Sequence, residues 1–214
     1  MANFDPNIYL GDPNLPSAQA KFEYTPEMIA EITRCSKDIS YFAETHFHIT
    51  TLDHGKQKIK LYRPQRRLLK ALGKYNRVAC LASRQIGKTT IMTIYSLFAT
   101  LFDADKTVLI VANKESTAIE ILRKIRMAYT MMPNWLKPGV KEWGKTAVVF
   151  ANDSRIIISS TSSSSSRGTA ANCVGGDSII TIREKKTGII FDITMADMAE
   201  LFRKNKRLNI VLCK

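Results

Sequence analysis

No stretch of the chain stays apolar for the roughly 20 residues that cross a bilayer, so no membrane span is expected. The first 20 residues lack the basic start and apolar centre of a signal peptide and instead carry Pro6, Pro13 and Pro16. Cysteine is scarce. Cys35, Cys80, Cys173 and Cys213 match neither a paired zinc motif nor a secreted disulfide framework, so a reducing cytoplasm and free thiols are expected. The only histidines are His46, His48 and His54, and His46 and His48 are read here as surface or packing residues rather than ligands. Acidic residues are outnumbered, 19 against 32 Lys and Arg, for a net charge of +13. That balance favours a polyanion such as a nucleic acid or an anionic surface. The charge is spread without a tail-like block, and charge alone leaves simple solubility as an alternative.

What is present reads as one ordinary domain with a small appendage in 214 residues. Residues 1–24 read as an extended arm. Thr25-Pro26-Glu27 is a helix start, with Thr25 as N-cap and Pro26 at the first helical position. Helical periodicity then runs through Met28, Ile32, Ile39 and Phe42 to about Phe47. Asp53-His54-Gly55 is a turn, Ile59 and Leu61 fit a short strand, and Pro64 opens a helix that stops near Gly73. From residue 78 strand and helix patterns alternate: 78–82 strand, 89–102 helix, 107–112 strand, 116–132 helix closed by Pro133. Residues 147–150 and 155–159 flank Asn152-Asp153 as a hairpin. Alternating order implies a parallel sheet with helices on both faces.

Beyond Ser159 the pattern changes. A Ser/Thr run to Ser166 reads as a loop. After Cys173 come a strand at 178–182, a turn at 185–188, a strand at 189–193 and a capped helix from Thr194 through Leu201. Residues 173–214 are too few to hold a core by themselves.

Ala82-Ser83-Arg84-Gln85-Ile86-Gly87-Lys88-Thr89 lies between a strand and a helix, the context that a phosphate-binding loop requires. Backbone N–H groups there can wrap a phosphate at a helix N-terminus. Lys88 is placed to neutralise the β and γ phosphates of ATP, and the Thr89 hydroxyl to hold Mg²⁺. Ala82 stands where the first glycine of the usual pattern would be.

Ser83 to Thr90 resembles the phosphate loop of the large terminase subunits of tailed phages. Tyr62-Arg63-Pro64-Gln65 upstream resembles the family's adenine-reading segment. Val111 to Lys114, Met132 to Val140, Glu142-Trp143, Asn152-Asp153-Ser154 and Ser166-Arg167-Gly168 follow in the family's order. The resemblance covers residues 25–172. It implies a P-loop ATPase sheet of the RecA/ASCE-like kind. Ser83, Arg84, Gln85, Gly87, Lys88, Thr89 and Thr90 would line the nucleotide, Arg84 would serve as an arginine finger in cis, and Gln65 would hydrogen-bond adenine. It also implies double-stranded viral DNA as substrate, portal and small terminase as partners, a homo-oligomer, and action in the host cytoplasm.

The resemblance further implies a strand ending in Asp-Glu soon after Arg167-Gly168, to hold Mg²⁺ and orient water. Instead Asn172 leads into Cys173-Val174-Gly175-Gly176-Asp177-Ser178, which resembles the opening block of an intein. Ile189 to Asp192 is apolar and ends in Asp, but Ile193 stands where Glu is needed. In an intein the Cys173 thiolate would attack the Asn172 carbonyl, turning the peptide bond into a thioester and freeing the Cys173 amine. Residues 173–214 hold no histidine to serve as the activating His of an intein, and a second chain is expected to supply it together with the terminal Asn. The expected fold is therefore α/β: a partial P-loop sheet in residues 25–172, with a small β-rich N-terminal intein (Hint) fragment in 173–214. The expected function is the N-terminal precursor half of a packaging ATPase, inactive until trans-splicing joins it to a partner chain. The alternatives are a helicase-like ATPase interrupted by an intein, and a basic DNA-binding module with a degenerate phosphate loop.

Overall fold

A computed structural model of the chain describes residues 5–51, 53, 55–75, 78–82, 85–160, 173–176, 180–183, 190–193 and 209–213. The expected Ser/Thr loop beyond Ser160, the turn at 185–188 and the helix from Thr194 lie outside them, as do Ser83, Arg84 and Arg167-Gly168, while Ser159 and Ser160 end a strand rather than begin that loop. The elements are β1 (Ile8–Tyr9), β2 (Asp12–Pro16), α1 (Pro26–Lys37), α2 (Ile39–His46), β3 (His48–Thr51), β4 (Gly55–Lys58), α3 (Arg63–Lys74), β5 (Val78–Ala82) and α4 (Lys88–Phe102). There follow β6 (Thr107–Ala112), α5 (Glu115–Met131), a 3-10 turn (Asn134–Leu136), β7 (Val140–Trp143), β8 (Ala147–Phe150) and β9 (Arg155–Ser160). The last strands are β10 (Cys173–Gly176), β11 (Ile180–Arg183), β12 (Ile190–Ile193) and β13 (Asn209–Cys213). No described helix is long and apolar enough to cross a membrane.

The chain divides into two compact units, Met1–Leu61 with Met92–Gly176, and Tyr62–Ile91 with Asp177–Lys214. The first holds a five-stranded mixed sheet in the order β10-β6-β9-β8-β7. β6 runs parallel to β9 and to β10, and β8 runs antiparallel to β9 and β7. The 147–159 hairpin is thus present, and β7 extends it where no strand was expected. Strand β6 is apolar after Thr107, and Val108 and Ala112 have no exposed surface. The buried face of α5 presents Ala118, Ile121, Leu122, Ile125, Ala128 and Tyr129, at helical spacing. Phe42, Phe98 and Phe102 form a second cluster with ring centroids 5.0–5.7 Å apart.

Three local expectations change. The single helix expected to Phe47 is two, because Asp38 is extended and its carboxylate accepts from the Ser40 and Tyr41 N–H groups, capping a new helix. The strand expected at Ile59 and Leu61 lies earlier, as β4, paired antiparallel with β3. Ile59 and Leu61 are apolar because they are buried just beyond it. The arm at 1–24 contains the β1–β2 hairpin, turned at Leu10 and Gly11 with φ of 48° and 78°.

That hairpin is anchored by Lys137. Lys137 is 3% exposed, and its ammonium donates to the Asn14 carbonyl at 2.8 Å and the Tyr129 carbonyl at 3.0 Å. Burial lowers its pKa from 10.5 to about 8, against an opposing pull from Asp12. The folded state therefore binds this proton less tightly than the unfolded state does. Its contribution is fully present above about pH 10.5 and is lost as pH falls through 8. The stability of the wild type relative to Lys137→Met should accordingly rise between pH 8 and 10, by about 1 kcal/mol per pH unit at most. Urea unfolding across that range measures it, and a flat difference would mean the lysine is not desolvated as described.

In the second unit, β13 runs parallel to β5 and β11 pairs antiparallel with β12. The strand expected at 189–193 is therefore present as one arm of a hairpin, and β13 is a strand the sequence pattern did not announce.

Candidate nucleotide site

The path from β5 to α4 has the strand–loop–helix form expected of a phosphate loop. Gln85 and Gly87 both have positive φ, 67° and 80°. Two features favour glycine at 87. The left-handed backbone disfavours a side chain, and a Cβ there would lie 2.7 Å from Gln65 Nε2. Lys88 is the first residue of α4, followed by half-buried Thr89 and Thr90. The helix is nucleated at the loop by the Ile91 N–H donating to the Gly87 carbonyl at 3.1 Å. Its first N–H groups are thus directed back toward the loop, where the helix dipole favours an anion.

Gln65 is 6% exposed. Its Nε2 donates to the Ile86 carbonyl at 3.0 Å, and its Oε1 accepts from the Tyr62 N–H at 3.0 Å. One side chain thus caps α3 and clasps the loop. Pro64, Gln65, Leu68, Ile86, Lys88 and Ile91 line a small open depression beside it. Gln65→Ala would strand the Tyr62 N–H and the Ile86 carbonyl, and should lower stability by about 1–3 kcal/mol in chemical denaturation. A loss below about 0.5 kcal/mol would mean that water replaces both bonds without cost.

Other residues of the terminase-like pattern hold the scaffold together. Asn152 Nδ2 donates to the Thr100 carbonyl at 2.8 Å, and Ser154 Oγ donates to the Asp103 carbonyl at 2.7 Å. They close the end of α4, and the left-handed Asp153 between them makes the turn. Gly139 is required because a Cβ would lie 2.0 Å from the Ser17 carbonyl oxygen. Trp143 packs at a tilt against Tyr129, centroids 5.3 Å apart, under the Arg126 guanidinium at 4.8 Å. The sequence pattern marked these positions without distinguishing scaffold from site.

Residues 79–188 match the model of the family described as terminase large subunit, T4likevirus-type, N-terminal. The chain belongs to this family. Its structure also resembles the crystal structure of the large terminase of bacteriophage HK97, with a TM-score of 0.56 at 14% identity. The likeness covers 83% of this chain and 37% of that one, so the chain spans little more than a third of that terminase's length. At that identity the likeness speaks for the fold. Within the terminase frame, the structure brings Gln65, Gln85, Ile86, Gly87 and Lys88 together around one loop. Of Cys173 it describes the backbone, in β10.

Proposed function

We propose that this chain is the N-terminal precursor half of a phage DNA-packaging ATPase, joined to a second chain by trans-splicing at the Asn172–Cys173 bond. The nucleotide part rests on one observation: a loop with positive φ at Gln85 and Gly87, opening a helix at Lys88 and clasped from behind by Gln65. These residues fit a nucleoside triphosphate with Mg²⁺. Lys88 would meet the β and γ phosphates, the Thr89 hydroxyl the metal, and the loop amides the remaining oxygens. Arg84 would stabilise charge on the transferring phosphoryl group. Double-stranded DNA, portal and small terminase as partners, homo-oligomerisation after joining, and action in the host cytoplasm follow from the family resemblance. The net charge of +13 agrees with a polyanionic substrate.

The splicing part rests on the intein-like block at Cys173 and on the lack of an Asp-Glu strand after Arg167-Gly168. A second reading is favoured by two observations. The family match continues to residue 188, past Asn172, and β10 lies parallel beside β6 in the same sheet. On that reading residues 173–188 belong to the terminase and nothing is spliced.

ATP turnover tests the proposal. The purified chain should bind ATP weakly without steady-state hydrolysis, and hydrolysis should appear only after incubation with a matching C-terminal chain. Robust turnover by the chain alone, abolished by Lys88→Ala, would overturn it, because the catalytic groups would then already be present.

A further inference from the structure

The joint between α1 and α2 gathers Glu31, Cys35 and His46. Glu31 and Cys35 stand one turn apart on α1, so their side chains share a face, and His46 is the last residue of α2. Their ligating atoms all lie within 4.8 Å of one another, with His46 Nε2 at 2.9 Å and Cys35 Sγ at 3.7 Å from Glu31 Oε1. Cys35 has no exposed surface, and the His46 and Glu31 side chains are 11% and 25% exposed. Tyr41 reaches both carboxylate oxygens of Glu31 at 3.0 Å and is itself covered by the Arg34 guanidinium at 3.9 Å. Trp135 and the His46 ring pack edge to face, centroids 6.0 Å apart.

We propose that Glu31, Cys35 and His46 form a zinc site with one open position, which pins α1 to α2. Thiolate, imidazole and carboxylate are the donor set that zinc takes. Tetrahedral zinc with bonds of about 2.0–2.3 Å needs donors about 3.3–3.6 Å apart. The largest separation here, 4.8 Å, is within about 1.5 Å of that, an adjustment that side-chain torsions supply without moving a helix. Binding releases the Cys35 thiol proton to solvent and takes the His46 Nε2 lone pair, so that the ring keeps its proton on Nδ1. Glu31 gives one oxygen while Tyr41 holds the other, the second-shell arrangement that orients a carboxylate ligand. Water, admitted on the side where Glu31 is partly exposed, takes the fourth position. The joint lies far along the chain from the phosphate loop, so this proposal is independent of the nucleotide reading.

The test uses the full chain, reduced and stripped with a chelator, titrated with Co(II) and then Zn(II). One Co(II) per chain should bind with a thiolate-to-metal charge-transfer absorption, and Zn(II) should bleach it. Cys35→Ser should remove that absorption, and His46→Asn should weaken binding at least tenfold. Tyr41→Phe should weaken binding about 10–100-fold, with the helical signal unchanged. A Cys80→Ser/Cys173→Ser/Cys213→Ser variant, which leaves the joint untouched, should keep the full signal. The proposal is overturned by the absence of stoichiometric binding, by a spectrum that survives Cys35→Ser, or by loss of the signal in the triple variant. A joint held only by hydrogen bonds gives the first of these results.

Discussion

Cys173→Ala should abolish joining to a C-terminal partner completely, leaving the precursor at its full mass with no cleavage after Asn172. The proposed first step is attack of the Cys173 sulfur on the Asn172 carbonyl, and alanine has no nucleophile. The wild type mixed with the same partner should give a ligated product together with free 173–214. That segment carries 8 Lys and Arg against 5 Asp and Glu, a net charge of 8 − 5 = +3, so an acidic docking face is expected on the partner. Mass spectrometry of the two mixtures decides the matter. Equal ligation by the variant removes Cys173 from the chemistry, and absence of ligation in both, with ATP turnover by the chain alone, favours the reading in which 173–188 belongs to the terminase.

The second large effect concerns Arg84. In the joined protein, Arg84→Ala should lower ATP turnover about a thousandfold or more while changing nucleotide affinity little. A guanidinium that acts on charge developing in the transition state contributes to the rate and not to ground-state binding. Lys88→Ala should differ by losing affinity and turnover together, because the proposed role of Lys88 is to meet phosphates already charged in the bound nucleotide. Turnover and fluorescent-nucleotide binding, measured on the same preparations, separate the two behaviours. If Arg84→Ala costs both equally, Arg84 is a ground-state anchor.

Much of the fold was legible because each element carries a local cause. Thr25 caps α1 through the Met28 N–H at 3.4 Å, with Pro26 at the first helical position. Strands β5 and β6 occupy the residues that their apolar runs announced. What failed was also local in cause but hidden in pattern. Asp38 interrupts a helical period without breaking its apolar spacing, because α1 and α2 both turn their apolar faces inward. Ile59 and Leu61 alternate like a strand, yet they are buried after the β4 ladder has ended.

The sequence by itself determined the phosphate-loop pattern, the terminase-like order of motifs and the Cys173 block, because each is a run of neighbours whose chemistry depends on spacing along the chain. Only the tertiary structure decided what Gln65, Gly139 and His46 do. Gln65 clasps a carbonyl 21 positions away, Gly139 makes room for an arm that arrives from residue 17, and His46 meets a carboxylate and a thiol on another helix. Those roles come from contacts between segments distant in the chain, and periodicity within a segment carries no record of which segment it will meet.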